Sequence, residues 1–279
     1  MNKNKKVYSK IVEKMVDDMT LFDDDLMSKV FDQNIPATKL LISTILSKNV
    51  DVIESKGQWD MKNPIVNGRS ITLDIFAKDS KGSHFNCEVQ RSNAGAIPKR
   101  ARFYSAMVDV RMLKEKQKFK EIKDSYVIFI TQNDYFMEGN PIYLIERKRE
   151  NDKNFNDGNH IIYVNGQYKG NDNIGRLLED FRRKETSGFN NPELEKGVRQ
   201  FKIDKKGRQI MCEAVEKYAK EQYEIGISKG KDIGQKKGKK EGKIESIRAL
   251  MNNLNFTAEQ AMESLDIPKT EYSKYKSKL

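Results

Sequence analysis

The chain has 279 residues, a third of them charged, with 52 Lys and Arg against 41 Asp and Glu, a formal charge of +11 and a pI near 9.3. That length holds one large domain or one domain with an appendage, and that charge favours a polyanionic partner, most directly nucleic acid. Two cysteines without a CxxC and two histidines argue against a disulfide framework or a zinc site, and no apolar run spans a membrane, so a reduced, cytoplasmic protein with no membrane partner is expected.

In chain order, residues 1–20 read as a basic leader running into a short helix. Asp23, Asp24 and Asp25 stand where they would cap the next helix, whose apolar side is Leu26, Met27, Val30 and Phe31. Pro36 opens another, with Leu40, Leu41, Ile45 and Leu46 at helical spacing. Val50 to Ile53 reads as a short strand, and a loop with Trp59 and Pro64 leads to a hairpin over 69–90. Pro98 starts an amphipathic helix carrying Ala101, Tyr104, Ala106 or Met107, Val108 and Met112 and ending in Lys-rich turns near Lys118. Ser125 to Thr131 is almost wholly apolar, the pattern of a strand buried on both faces. Ile142–Ile145 and His160–Val164 are further strands, and Asn173–Lys184 a helix. The order predicts an α/β domain over 21–203 with a mixed central sheet flanked by helices.

From about Asp204 the composition changes. Gly226, Gly230, Gly234, Gly238 and Gly242 recur every four residues, and seven lysines, among them Lys236, Lys237, Lys239 and Lys240, lie from Lys229 to Lys243. Residues 204–243 are expected to form either a helix that touches DNA or a second copy of the chain (a homo-oligomer), or a flexible basic linker. Residues 244–279 carry the apolar face Ile247, Leu250 and Leu254, a capping box at Thr257–Gln260, and two further short helices. They read as a small helix-turn-helix-like tail, either DNA-reading or a structural cap.

The hairpin carries the chemistry. Ile71, Leu73, Ile75 and Ala77 alternate with Thr72, Asp74 and Phe76, and Phe85, Cys87 and Val89 alternate with His84, Asn86, Glu88 and Gln90. With Asp79 paired to Ser83, the loop is Ser80-Lys81-Gly82 and glycine falls at the left-handed position. Asp74 is then directly opposite Glu88, with Cβ atoms about 4.5–5.5 Å apart. Two opposed carboxylates repel, so the pairing asks for a cation. A slip of one residue would bury one of them in the core. Two carboxylates beside an amide, Gln90, form an arrangement able to hold a divalent cation and a water against a phosphodiester.

Several stretches, taken in order, resemble the PD-(D/E)XK nuclease family of transposases, the recombination-promoting nuclease type. Asp24 to Phe31 is similar to the family's D-x-x-F-x-x-V-F helix, with Met27 in place of Phe, and Leu40 to Leu46 to the helix after it. Arg69 to Asp79, Gly82, and Asn86 to Gln90 resemble the core LDI-x-A-x-D-x-x-G followed by N-(I/C)-E-(M/V)-Q. Arg100 and Tyr104 match the R-x-x-x-Y start of the next helix. The resemblance covers roughly 20–165 and implies a restriction-endonuclease-like core followed here by a C-terminal helical extension.

The activity implied is Mg²⁺-dependent hydrolysis of DNA, with Mn²⁺ or Ca²⁺ as alternative ions. Asp74 and Glu88 would ligate the ion, the resemblance adds the Val89 backbone carbonyl, and Asp24, Asp25 or Glu54 could supply a third acid. Gln90 stands where the wider superfamily has lysine; it can orient a water but brings no charge, so the ion alone, Arg91 or another basic residue would have to act in its place. Arg100 and Arg102 could grip phosphate, and Tyr104 support the site. The competing expectations are a catalytically inactive DNA-binding or assembly protein on the same core, and a regulator with a ligand-sensing α/β domain.

Overall fold

The computed structural model describes residues 3–279, with side chains from Lys10 onward. The chain divides into two units, residues 1–215 and 216–279.

In the first unit, α1 (Lys3–Asp18), α2 (Asp24–Phe31) and α3 (Ile35–Leu46) precede β1 (Val52–Met61), β2 (Ile71–Asp79) and β3 (His84–Gln90). Then come α4 (Pro98–Val110), β4 (Ser125–Thr131), β5 (Ile142–Ile145), β6 (Asn159–Asn165), α5 (Asn173–Arg182), α6 (Pro192–Lys202) and the start of α7 (Lys205–Leu254). The six strands form one mixed sheet in the order β1-β2-β3-β4-β6-β5. The β1–β2, β2–β3 and β5–β6 pairs are antiparallel; β3–β4 and β4–β6 are parallel. Every residue of β4 is buried, as an apolar run at the middle of a sheet covered on both faces must be.

Alternate residues of β4 define the two faces. Tyr126, Ile128 and Ile130 join the larger core, covered by α1, α2, α3, α5, α6 and the first turns of α7. Val127 and Phe129 join a second core under α4, with Ala101, Tyr104, Met107 and Val108. The fold is therefore a sheet between helical layers, an α/β architecture with a mixed sheet. No helix among the described residues is long and apolar enough to cross a membrane.

The helix expected at the end of the basic leader is α1, while residues 1–2 lie outside the described residues; its Val12 and Val16, four residues apart on one stripe, are buried in the larger core. Asp23 precedes α2 but does not cap it through its side chain, which accepts from the Thr20 N–H at 2.8 Å instead. β1 runs ten residues, through Trp59, rather than stopping at Ile53. Its middle is polar because it is an edge strand, so its ladder with β2, and not an apolar pattern, holds it. Helix α4 ends at Val110, well before the Lys-rich turns. α6 was absent from the sequence expectation; its Leu194 and Val198 pack into the larger core.

The second unit contains the rest of α7, α8 (Ala258–Ser264) and α9 (Tyr272–Lys276). The Gly-periodic stretch is helical rather than an irregular linker, and a Cβ on any of its five glycines would meet nothing within 4 Å. The tail has its own small core of Ile247, Ala261, Met262, Ile267 and Tyr275. Thr257 and Gln260 form the expected capping box at the start of α8.

Candidate active site

The β2–β3 hairpin has the expected register up to Ile75–Cys87, and Asp79 N–H donates to Ser83 at 3.1 Å across the turn. Bonded and non-bonded pairs alternate from there, so Leu73 and Val89 should exchange the next pair of backbone hydrogen bonds. They do not. Val89 N–H donates to Asp74 Oδ2 at 3.0 Å, and Asp74 N–H donates to Glu88 Oε1 at 3.3 Å. Each carboxylate has replaced a main-chain acceptor, and the ladder opens at this point. A strand residue directs its N–H and C=O to the same edge, so the Val89 carbonyl faces the same opening.

The opening coincides with a reversal of faces. Ile75 and Ala77 lie in the larger core as the alternation predicts, but Ile71 and Leu73 lie in the core under α4, together with Phe76. The expected single apolar face of β2 is thus split at Asp74. Across the β1–β2 ladder, the residue opposite Asp74 is Gln58, which leaves the pairing and takes a left-handed backbone with φ 47°. Both strands turn over together, so the register survives while the side chains exchange faces. Next to this twist Gly57 is obligatory: a Cβ there would lie 2.1 Å from the Ser28 carbonyl oxygen of α2. That close approach lays α2 against β1, and Asp24 in its first turn lies near enough to Asp74 to raise its pKa.

Around the opening, Glu88 is fully buried and Asp74 partly so. Burial raises the pKa of both carboxyls above the ordinary carboxylate range; Asp24 raises that of Asp74 further, and Asp74 that of Glu88. The Val89 N–H and the Arg100 guanidinium offset part of this at Asp74, and Arg100 and the Asp74 N–H at Glu88. Arg100, from the first turn of α4, donates to Glu88 Oε2 at 2.8 Å, to Gln90 Oε1 at 3.3 Å, to the Gly95 carbonyl at 2.8 Å and to the Tyr104 hydroxyl at 2.8 Å. With Oε1 of Gln90 held by Arg100, its amide N–H₂ turns towards Asp74 and favours that acid's charged form. Gly95 is tightly packed here, since a Cβ on it would stand 1.9 Å from Gln90 Oε1. Asn86, wholly buried on the Glu88 face of β3, favours ionised Glu88, although its amide atoms make no hydrogen bond of regular geometry.

Residues 29–168, half of the chain, match the family model of the PD-(D/E)XK nuclease family transposases. The chain belongs to this family. It is accordingly a nuclease relative connected with mobile elements, and DNA is the substrate class the family indicates. No curated protein and no solved structure matches it.

The structure brings together only part of the expected set for this family member. Asp74, Glu88, Gln90, Arg100 and Tyr104 meet at the opening, with Asp24 at its rim. Asp24 keeps solvent contact, and its pKa is raised by partial burial and by Asp25 and Asp23. Asp25 is raised by burial too, but the charges it meets are Lys29 and Asp23, not Asp74. Glu54 is opposite Lys78, at the turn end of the hairpin, and pairs with Lys56. Arg91 is held by Asp23 at 2.6 Å, and Arg102 is exposed. Lys236, Lys237 and Lys239 are exposed and Lys240 half-buried, all on α7 in the second unit.

Among the described residues, no group of three or more His, Cys, Asp or Glu side chains gathers as a metal site. The oxygens able to hold a hard cation are those of Asp74 and Glu88 with the Val89 carbonyl, a donor set that suits Mg²⁺ once water completes it. The raised pKa values of this pair are those of two acids whose burial and mutual repulsion the one guanidinium offsets only in part.

Proposed function

We propose that the chain is a metal-dependent DNA endonuclease that hydrolyses phosphodiester bonds in connection with a mobile element or recombination. The observation that carries this reading is the Asp74–Glu88 pair in the opened ladder. A sheet gains nothing from replacing two main-chain hydrogen bonds with two mutually repelling buried carboxylates unless a cation joins them. Asp74, Glu88 and the Val89 carbonyl would hold Mg²⁺, with Asp24 the nearest third acid; Mn²⁺ or Ca²⁺ meets the same oxygen set. When bound, such an ion supplies Lewis acidity and neutralises phosphate charge.

The chain's own groups do the positioning. The Gln90 N–H₂ can donate to a water oxygen and hold it, but an amide cannot take the water's proton. Arg91, just past the end of β3, and Arg102, on the exposed side of α4, would contact DNA phosphate, Arg91 by leaving its pairing with Asp23. The lysines of α7, including Lys236, Lys237, Lys239 and Lys240, add sequence-independent attraction for the backbone of DNA.

The test is cleavage of supercoiled plasmid by the full chain with Mg²⁺, Mn²⁺, Ca²⁺ or EDTA, beside Asp74→Ala prepared identically. Nicking that needs the ion and is lost in Asp74→Ala is the expected result. Absence of cleavage with every ion, combined with salt-sensitive DNA binding, would replace this reading with a DNA-binding or assembly protein on a nuclease core.

A further inference from the structure

Position 90 poses a charge problem. A lysine there would bring a cation to the acids and the reacting phosphate, and this chain has a neutral amide instead. The nearest permanent charge is not on the same strand. It is Arg100, one turn into α4, whose Nη1 is 3.3 Å from Gln90 Oε1 and whose Nη2 is 2.8 Å from Glu88 Oε2. The guanidinium therefore stands within one hydrogen bond of the place where the side chain of residue 90 ends.

Two further contacts show that this placement is built rather than incidental. The Gly95 carbonyl and the Tyr104 hydroxyl, each at 2.8 Å, hold the fork from outside the acid pair. Gly95 can come that close only because it lacks a Cβ. These anchors remain if Glu88 is taken by another cation, so the guanidinium would keep its station without the ion pair. About a third of the Arg100 side chain is exposed while Glu88 has no exposure, so of the two partners the arginine is the one open to solvent.

We propose that Arg100 supplies the positive charge that Gln90 lacks, and that it exchanges its hold on Glu88 for the scissile phosphate when a divalent cation takes the Asp74–Glu88 pair. This rests on the hydrolytic reading above for its second half only. The first half is a competition between Arg100 and a cation for Glu88, which exists whether or not DNA is cut. Arginine suits the role: it stays charged at any working pH and can donate to two phosphate oxygens at once.

The experiment uses the full chain in four forms: wild type, Arg100→Met, Gln90→Lys, and the double variant Gln90→Lys with Arg100→Met. Mn²⁺ affinity is measured at pH 8.5 by electron paramagnetic resonance, and single-turnover plasmid cleavage alongside it; Arg100→Lys, which keeps a charge without the fork, guards against a folding defect. Arg100→Met should bind Mn²⁺ several-fold more tightly, because Glu88 has lost its competitor. Its cleavage should fall by about 10²–10³, the scale of removing one preorganised electrostatic contact. Gln90→Lys with Arg100→Met should recover at least about tenfold of that loss, since it returns a charge to the same spot.

Unchanged or weaker Mn²⁺ binding in a folded Arg100→Met overturns the exchange, as does wild-type cleavage by that variant. Failure of the double variant to recover any activity overturns the charge substitution. If the wild type cuts nothing with any ion yet Arg100→Met tightens Mn²⁺ binding, the hydrolytic reading fails while the competition stands.

Discussion

The two ends of the β2–β3 hairpin share one register and differ in what closes them. At the turn, Asp79 and Ser83 are joined by a main-chain bond, Gly82 takes φ 87°, and the Asp79 carboxylate accepts from the Lys81 and Ser83 N–H groups. The Asp79 carboxylate there is met by two neutral N–H groups, and no second acid faces it across the strands. At the other end, the Asp74 and Glu88 carboxylates have displaced main-chain acceptors and repel each other, and Arg100 donates to Glu88 alone of the two. Stability has been given up where the ladder opens, which is the pattern expected of a functional site.

Substitutions at the open end should show the largest effect. Asp74→Ala and Glu88→Ala should bring plasmid cleavage down to the level of the EDTA control. Asp74→Asn should do the same while raising stability by about 1 kcal/mol in denaturant unfolding without added metal, because it removes a repelling charge and keeps an oxygen for the Val89 N–H. A loss of stability in Asp74→Asn would mean the acid is structural.

Gly95→Ala comes next. Its methyl group must displace Gln90 or Arg100, so we expect about 1–3 kcal/mol of destabilisation and a clear drop in cleavage. Unaltered cleavage would show that the Gln90–Arg100 contact does not matter.

The third difference between the ends is their response to pH. Asp74 and Glu88 are raised to about 7 and about 8, so the folded chain holds protons that the unfolded chain has released. Stability must then fall as pH rises from the ordinary carboxylate range through those values. A bound cation needs both acids ionised, so the rise in Tm produced by Ca²⁺ should grow over the same window. Melting curves from pH 5 to 9, with Ca²⁺ or EDTA, check both; a Ca²⁺ shift independent of pH would remove this pair as the ligands.

The smallest effect belongs to the closed end. Gly82→Ala places a side chain in a left-handed conformation and should cost about 1–2 kcal/mol in unfolding experiments while leaving metal binding as it was.

Much of the architecture was legible because it is local. The apolar run of β4, the alternation in β3, the Pro36 and Pro98 helix starts and the Thr257 capping box all depend on neighbours in sequence. The opposition of Asp74 and Glu88 was legible too, since loop length and alternation leave one register. Strand β1 beyond Ile53 was not, because an edge strand with a polar face shows no apolar period, and its partner supplies the order. Nor was the placement of the other acids: Asp24 acts on Asp74 while Asp25 faces Lys29 and Glu54 pairs with Lys56, a division set by packing between segments distant in sequence.

By itself, then, the sequence determined the α/β class, the hairpin, its register and the acid pair, for these follow from periodicity and turn chemistry within about twenty residues. Only the tertiary structure decided that the ladder opens at Asp74, that β2 reverses its faces there, and that Arg100 is bound by Glu88 and Gln90. Each of those depends on two covered sheet faces and on α4 crossing one of them, and no periodicity along the chain encodes the distance between a strand and the helix laid over it.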